Sequence, residues 1–136
     1  MALTVSISQK ELKRKADLAY DNKTYKVFLA LNDASYTAET TAANWLTKEL
    51  AVTAGYAAVT GTITTASGAY DNTDARYEFP AITATFTASG VGFTYNTVVI
   101  RIGSETYVVG VLVESPSITL LAGQSKTYSI TLGEDD

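Results

Sequence analysis

The sequence predicts a mainly β protein: an antiparallel β-sandwich with one N-terminal helix and a short helix that contains the only tryptophan. Three observations lead to this class. A capping box precedes good helix formers near the start, an almost continuous apolar run follows them, and apolar and polar residues alternate from residue 55 onward. At 136 residues the chain has the length of one domain, with residues 1–24 as a strand and helix arm and residues 25–136 as the sandwich body.

The N-terminal arm is expected to hold a short strand and a helix. Residues 3–7 alternate between apolar and polar side chains, as strands do. Ser8 can cap a helix over residues 9–20, because Glu11 follows it at the spacing of a capping box. The apolar face of this helix is thin, so either a sheet of its own chain or a partner has to stabilise it. That face consists of Leu12, Ala16 and Ala19.

Two further segments are expected to carry much of the core. Residues 25–31 are almost entirely apolar, which is typical of a strand that is buried on both faces. Residues 41–50 predict a short helix, and we interpret Trp45 within it as a core anchor.

The rest of the chain is expected to form strands joined by turns. In residues 82–88 apolar residues alternate with threonines, which predicts one buried face and one hydroxyl face. Residues 103–105 are expected to turn a hairpin, Pro80 indicates an edge strand or a bulge, and Pro116 is expected to end a strand. Strands are expected over residues 56–65, 75–88, 97–102, 106–114 and 125–132, and loops over residues 66–74 and 88–93.

Composition excludes several classes of protein. The chain has no Cys and no His, which excludes disulfide scaffolds, thiolate zinc sites, cysteine nucleophiles and imidazole chemistry. The N-terminus lacks the order of a secretory signal, and the longest apolar run, residues 107–113, is too short to span a bilayer. We therefore expect a protein that is made as a soluble chain in the cytoplasm and has no membrane partner.

Charge is distributed unevenly along the chain. Residues 1–26 carry six positive and three negative side chains, a net charge of +3, whereas residues 27–136 carry four positive and eleven negative ones, a net charge of −7. The basic start is either a solvated helix face or a docking arm for an acidic partner. Nucleic acid is not expected as a partner, because phosphate binding needs a basic patch and the body of the protein is acidic.

Paired carboxylates are the remaining route to acid–base catalysis. Asp71, Asp74 and Glu78 lie close together in sequence and could serve as the acid and base of a glycan hydrolase. The simpler interpretation is that they are solvated acidic residues of a loop. Residues 71–74 also offer oxygen ligands for calcium, although they lack the EF-hand spacing, and an Asx turn explains them more simply. We expect no catalytic residue, no cofactor and no bound metal.

Tyrosine is abundant, with nine residues, and most of them fall at expected strand ends or in loops. Tyrosine at such places suits an interface, since it buries area while its hydroxyl stays hydrated; ordinary strand-end packing is the alternative. Together with a charged fraction of only 18%, this pattern predicts a homo-oligomer, either a dimer or a trimer. The candidate partner-contact residues are Lys10, Lys13, Arg14, Lys15, Tyr36, Tyr70 and Tyr95.

Several segments follow one another in a characteristic order. A basic helix runs into an apolar strand (KELKRKADLAYDNKTYKVFLAL) and is followed by the short helix NWLTKEL. The strand segments after them are AGYAAVTGTI, ARYEFPAITATFTA, VVIRIGSETYVVGVLV and LLAGQSKTYSITL. In order and type, these segments resemble a family of small, β-rich structural proteins of tailed-phage particles over residues 9–132. The chain departs from that family near its middle, where relatives carry a second tryptophan and this sequence has Phe79, Phe86 and Phe93.

This resemblance implies a non-enzymatic component of the virion. The leading expectation is a capsid decoration or cement protein on the outside of the phage head, with the major capsid protein or other virion proteins as partners. The alternative is a tail, neck or fibre-adapter component. A carboxylate-based glycan hydrolase or a glycan-binding module is a more distant alternative.

Overall fold

The computed structural model describes residues 8–20, 22–32, 35–63, 69–71 and 76–135. Within these residues the protein is mainly β, with antiparallel sheets and two short helices, as the sequence predicts. The elements in chain order are α1 (Gln9–Tyr20), β1 (Thr24–Ala30), α2 (Ala42–Leu46), β2 (Val59–Thr62), β3 (Ala69–Asp71), β4 (Arg76–Glu78), β5 (Ile82–Thr87), β6 (Phe93–Ile102), β7 (Gly110–Leu120), β8 (Ser125–Ile130) and β9 (Gly133–Asp135).

The described strands form three sheets. One has four strands in the order β2-β1-β6-β7, one has three strands in the order β3-β4-β9, and one consists of β5 and β8. Residue contacts divide the chain into two compact units: the described residues of 1–23, 62–82 and 129–136 form the first, and those of 24–61 and 83–128 form the second. The β-sandwich and the division into an arm (1–24) and a body (25–136) stay predictions.

In the first unit, α1 packs against β4 and β9. The helix spans the residues that the sequence predicts, and the Ser8 hydroxyl accepts a hydrogen bond from the Glu11 N–H at 3.1 Å, which confirms the cap. Leu12 is fully buried, whereas Ala19, predicted on the same face, is exposed. The helix is therefore held by its own chain through a narrow contact. The strand predicted over residues 3–7 lies outside the described residues.

In the second unit, β1 is an inner strand between β2 and β6. It pairs with β6 from Tyr25 opposite Ile102 to Ala30 opposite Thr97. Its last four residues are all buried, which confirms the prediction of a strand covered on both faces.

The helix α2 is shorter than the sequence predicts but contains the expected core anchor. It begins after Thr41, whose hydroxyl accepts the Asn44 N–H, and ends at Leu46 because the Thr47 N–H and hydroxyl both bond back to the Asn44 carbonyl. Trp45 is fully buried, and its indole N–H donates to the Thr37 carbonyl at 3.0 Å. That bond satisfies the one polar group of the anchor.

Both prolines act differently from the sequence prediction. Pro80 separates β4 from β5, so the single strand expected over residues 75–88 is two strands. Pro116 does not end a strand; it lies inside β7, in a bulge where residues 114–117 oppose the single residue Asn96. Unpaired residues of a bulge need no ladder hydrogen bond, so the missing N–H of proline costs little there.

The predicted turns are confirmed in two places and wrong in one. Residues 103–105 lie in the connection between the antiparallel strands β6 and β7, as expected. The turn before β6 needs its glycines: Gly92 has a φ of +77°, and a Cβ atom on it would collide with the Leu120 carbonyl oxygen. The loop expected over residues 66–74 instead contains β3, which pairs with β4.

Candidate partner-contact surfaces

The basic residues of α1 form the first candidate surface. Lys10, Lys13 and Arg14 are exposed, while Lys15 is half-buried. Because an α-helix turns by about 100° per residue, Lys10 and Arg14 lie on the side away from Leu12, and Lys13 lies on the flank between that side and Leu12. We call Lys10, Lys13 and Arg14 the basic face.

Two side chains of the basic face, those of Lys13 and Arg14, make contacts within the first unit. Arg14 donates to both carboxylate oxygens of Glu11, from Nε at 2.8 Å and from Nη2 at 2.6 Å. This hydrogen bond lowers the pKa of the Glu11 carboxyl below its ordinary value and raises the pKa of the Arg14 guanidinium. Lys13 Nζ lies 5.9 Å from the centroid of the Tyr77 ring. Lys10 and Arg14 project from a helix that Leu12 anchors.

The three candidate tyrosines differ in their surroundings. Tyr36 is half-buried, and its ring meets Trp45 edge-on with the centroids 5.4 Å apart. Tyr70 is half-buried in β3, opposite Tyr77. Tyr95 was expected at a strand end or loop, and that placement is wrong, because Tyr95 lies within β6 and is fully buried. A buried ring cannot meet a partner of the folded chain.

Tyr95 belongs instead to a buried hydrogen-bonded chain. Its hydroxyl lies 2.6 Å from the Tyr128 hydroxyl, and Tyr128 donates to Glu114 Oε1 at 2.9 Å. Burial is the main cause that raises the pKa of both phenols above the ordinary tyrosine value. Glu114 reaches Tyr128 from the bulge of β7, so the bulge links β7 to β8.

A second buried network surrounds Glu49. One carboxylate oxygen of Glu49 meets Lys26 Nζ at 2.7 Å, and the other accepts the Tyr56 hydroxyl at 2.7 Å. The Tyr56 oxygen in turn accepts the Leu29 N–H at 3.1 Å. Burial, followed by the bond to Glu49, raises the pKa of the Tyr56 phenol. Glu49 thus holds the segment that follows α2 against β1.

Of the three carboxylates that the sequence analysis considered for catalysis, two lie in described parts of the structure. Glu78 lies half-buried in β4. Asp71 lies in β3, but Asp74 and most of the suggested calcium loop over residues 71–74 fall outside the described residues. Among the described side chains, no group of three or more acidic residues is placed to hold a metal ion. No helix in the described part of the chain is long and apolar enough to cross a membrane.

A further candidate surface was missed by sequence reasoning. Among the described strands, β7 is the last one of its sheet, and apolar side chains along and before it are exposed. The sequence does show that residues 106–113 contain no charged side chain. Whether these residues are buried or exposed, however, depends on the strand order of the sheet. We call this set the apolar edge: Tyr107, Val109, Leu112 and Val113.

Comparison with known proteins adds no identification. No family model matches the chain, and neither a curated protein nor a solved structure matches it significantly.

Proposed function

We propose that this chain is a non-enzymatic structural protein of a phage virion that decorates the outside of the capsid. The observation that carries the proposal is the basic face of α1. It is an exposed cluster of cations on a helix that Leu12 anchors, in a chain whose residues 27–136 have a net charge of −7. Such a face suits docking on an acidic protein surface, for which it supplies orientation and salt sensitivity more than affinity.

Two further features support a structural role. Glu49 and Glu114 accept hydrogen bonds from tyrosines that are buried in the core, and Glu11 binds Arg14, so these acids serve the fold. The resemblance of residues 9–132 to small structural proteins of tailed phages supplies the virion as the setting.

Copy number tests the proposal most directly. In purified particles that contain this protein, quantitative mass spectrometry is expected to find hundreds of copies per head, because decoration follows the capsid lattice. Tens of copies, in step with the tail proteins, would assign the chain to the tail, neck or fibre adapter. Absence from the particles contradicts a virion function altogether.

The basic face is tested by charge reversal. Lys10→Glu is expected to weaken binding to undecorated capsids by about two- to fivefold, because an exposed ion pair contributes at most about 1 kcal/mol. Lys126→Glu, at an exposed lysine of β8, is the matched control with the same change in net charge. Binding is measured by co-sedimentation at rising salt, which should weaken wild type more than Lys10→Glu. Equal effects of the two variants would contradict docking through α1.

A further inference from the structure

We propose that two copies of this chain pair through β7, with their β7 strands antiparallel across a twofold axis. This inference names a partner for the apolar edge and deepens the proposed structural role. It does not depend on the virion, because it concerns the isolated chain.

β7 lies at the edge of its sheet. β7 pairs with β6 on one side, and in the described part of the chain no strand lies on its other side. An end strand of this length presents a row of unpaired backbone donors and acceptors, which is a template for another strand. β7 is also well supported, because Val111 packs against the cluster around Trp45.

Apolar side chains are exposed on both faces of the sheet at β7. Leu112 and Val113 are 46% and 64% exposed, and as successive strand residues they point to opposite faces of the sheet. A partner packed on one face of the sheet would cover only one of them. A strand added beside β7 approaches both, so strand pairing explains the exposure better than face-to-face packing.

Charge and backbone chemistry favour an identical strand as the occupant. Residues 106–113 carry no charge, so two copies of this acidic protein can approach here without placing like charges in contact. An antiparallel copy repeats the same hydrogen-bonding pattern, and each copy uses its edge once, which closes the assembly as a dimer. Pro116 lacks an N–H and limits the paired stretch to the part of β7 before it.

The area available indicates how strong this dimer is. From their exposed fractions, the side chains of the apolar edge present roughly 400 Å² per copy, comparable with the largest apolar patch on a typical monomer. Two copies then bury roughly 800 Å² of side chain, below the ~1,200 Å² at which stable interfaces begin. The dimer is therefore expected to be weak.

The experiment is sedimentation velocity of the full chain from low to high micromolar concentration. Wild type is expected to shift from monomer to dimer. Val113→Lys should raise the dissociation constant about tenfold or more, because a charge enters the interface from both copies. Val91→Lys is the matched control, since Val91 is even more exposed but lies in the turn before β6. It should dimerise like wild type.

Two further measurements test whether the dimer forms through β7. Leu112→Glu tests the opposite face of the same strand, and circular dichroism checks that each variant is folded. Backbone amides of residues 110–113 should exchange more slowly at high concentration in wild type, but not in Val113→Lys.

A monomer throughout the concentration range would overturn the proposal. A dimer that Val113→Lys and Leu112→Glu leave unchanged, or that Val91→Lys weakens equally, would overturn it as well. Capsids take no part in these measurements, so failure of the dimer and failure of the virion function are distinguishable.

Discussion

At the scale of single residues, the buried tyrosines explain how polar groups are kept in a mainly apolar core. Tyr56 is almost fully buried, yet its hydroxyl both donates to Glu49 and accepts from the Leu29 N–H. Tyr95 and Tyr128 share a hydrogen bond, and Glu114 completes their chain. Each hydroxyl is bonded to groups that would be left without a partner inside the protein, so its removal should cost more than the loss of one ordinary contact.

Tyr56→Phe tests this at one position. The variant leaves the buried Leu29 N–H without its acceptor and one carboxylate oxygen of Glu49 without the tyrosine donor. The free energy of unfolding should therefore fall by about 1–3 kcal/mol. The measurement is urea denaturation followed by circular dichroism. Tyr107→Phe is the control, because Tyr107 is largely exposed, and its effect should stay within about 0.5 kcal/mol. Equal stability of Tyr56→Phe and wild type would contradict the proposed importance of the hydroxyl.

At the scale of elements, α1 illustrates a short helix that its own chain holds through a few contacts, chiefly those of Leu12 and of the Tyr20 ring against Phe79. Its sequence has a good cap but only a thin apolar face, and the structure packs it against β4 and β9 with Leu12 fully buried. Of the two packing partners that the sequence left open, its own chain is the one observed. This leaves the basic face available while the helix itself is fixed.

Leu12→Ala is expected to lower the free energy of unfolding by about 2–5 kcal/mol, because it opens a cavity in the first unit. Leu18→Ala lies on the same helix at a side chain that is 68% exposed, and it should change stability by less than about 0.5 kcal/mol. Thermal or urea unfolding of the two variants makes the comparison. Similar losses in both would indicate that α1 does not depend on the Leu12 contact.

The bulge of β7 affects both the path of its own strand and the contact with β8. It accommodates Pro116, and it brings Glu114 to Tyr128 on β8. The prediction from sequence that Pro116 ends its strand was wrong for this reason. A proline excludes a regular paired position, but it does not exclude an irregular one inside a strand.

At the scale of the whole molecule, composition and burial together set the pH dependence of stability. The chain has no His and no Cys, so few groups change charge between about pH 6 and 9. Tyr56, Tyr95 and Tyr128 all have a pKa raised by burial above the ordinary value of about 10. Above that pH the unfolded chain releases phenolic protons that the folded chain retains.

The free energy of unfolding should therefore be nearly constant from about pH 6 to 9 and should fall as pH rises above about 10. The sign follows from linkage, since a state that binds fewer protons is favoured at higher pH. Urea denaturation at a series of pH values measures this dependence. Tyr56→Phe should show a shallower alkaline decline than wild type, whereas Tyr107→Phe should match it. A decline equally steep in Tyr56→Phe would assign the effect to other groups.

What the sequence by itself determined is local. The cap at Ser8, the bounds of α1, the buried strand β1, the core position of Trp45 and the alternating faces of β5 all follow from residues close together in the chain. Neighbouring residues are enough for such features, because helix capping and strand periodicity depend on the backbone within a few residues.

The tertiary structure alone decided which strand ends each sheet and which side chains meet across it. The order β2-β1-β6-β7 makes β7 an edge and exposes Leu112 and Val113, although their apolar sequence is equally compatible with burial. The same order buries Tyr95, which the sequence placed near a surface. Strand pairing joins residues far apart in the chain, and the preference of each strand for its neighbours depends on packing that no local pattern encodes.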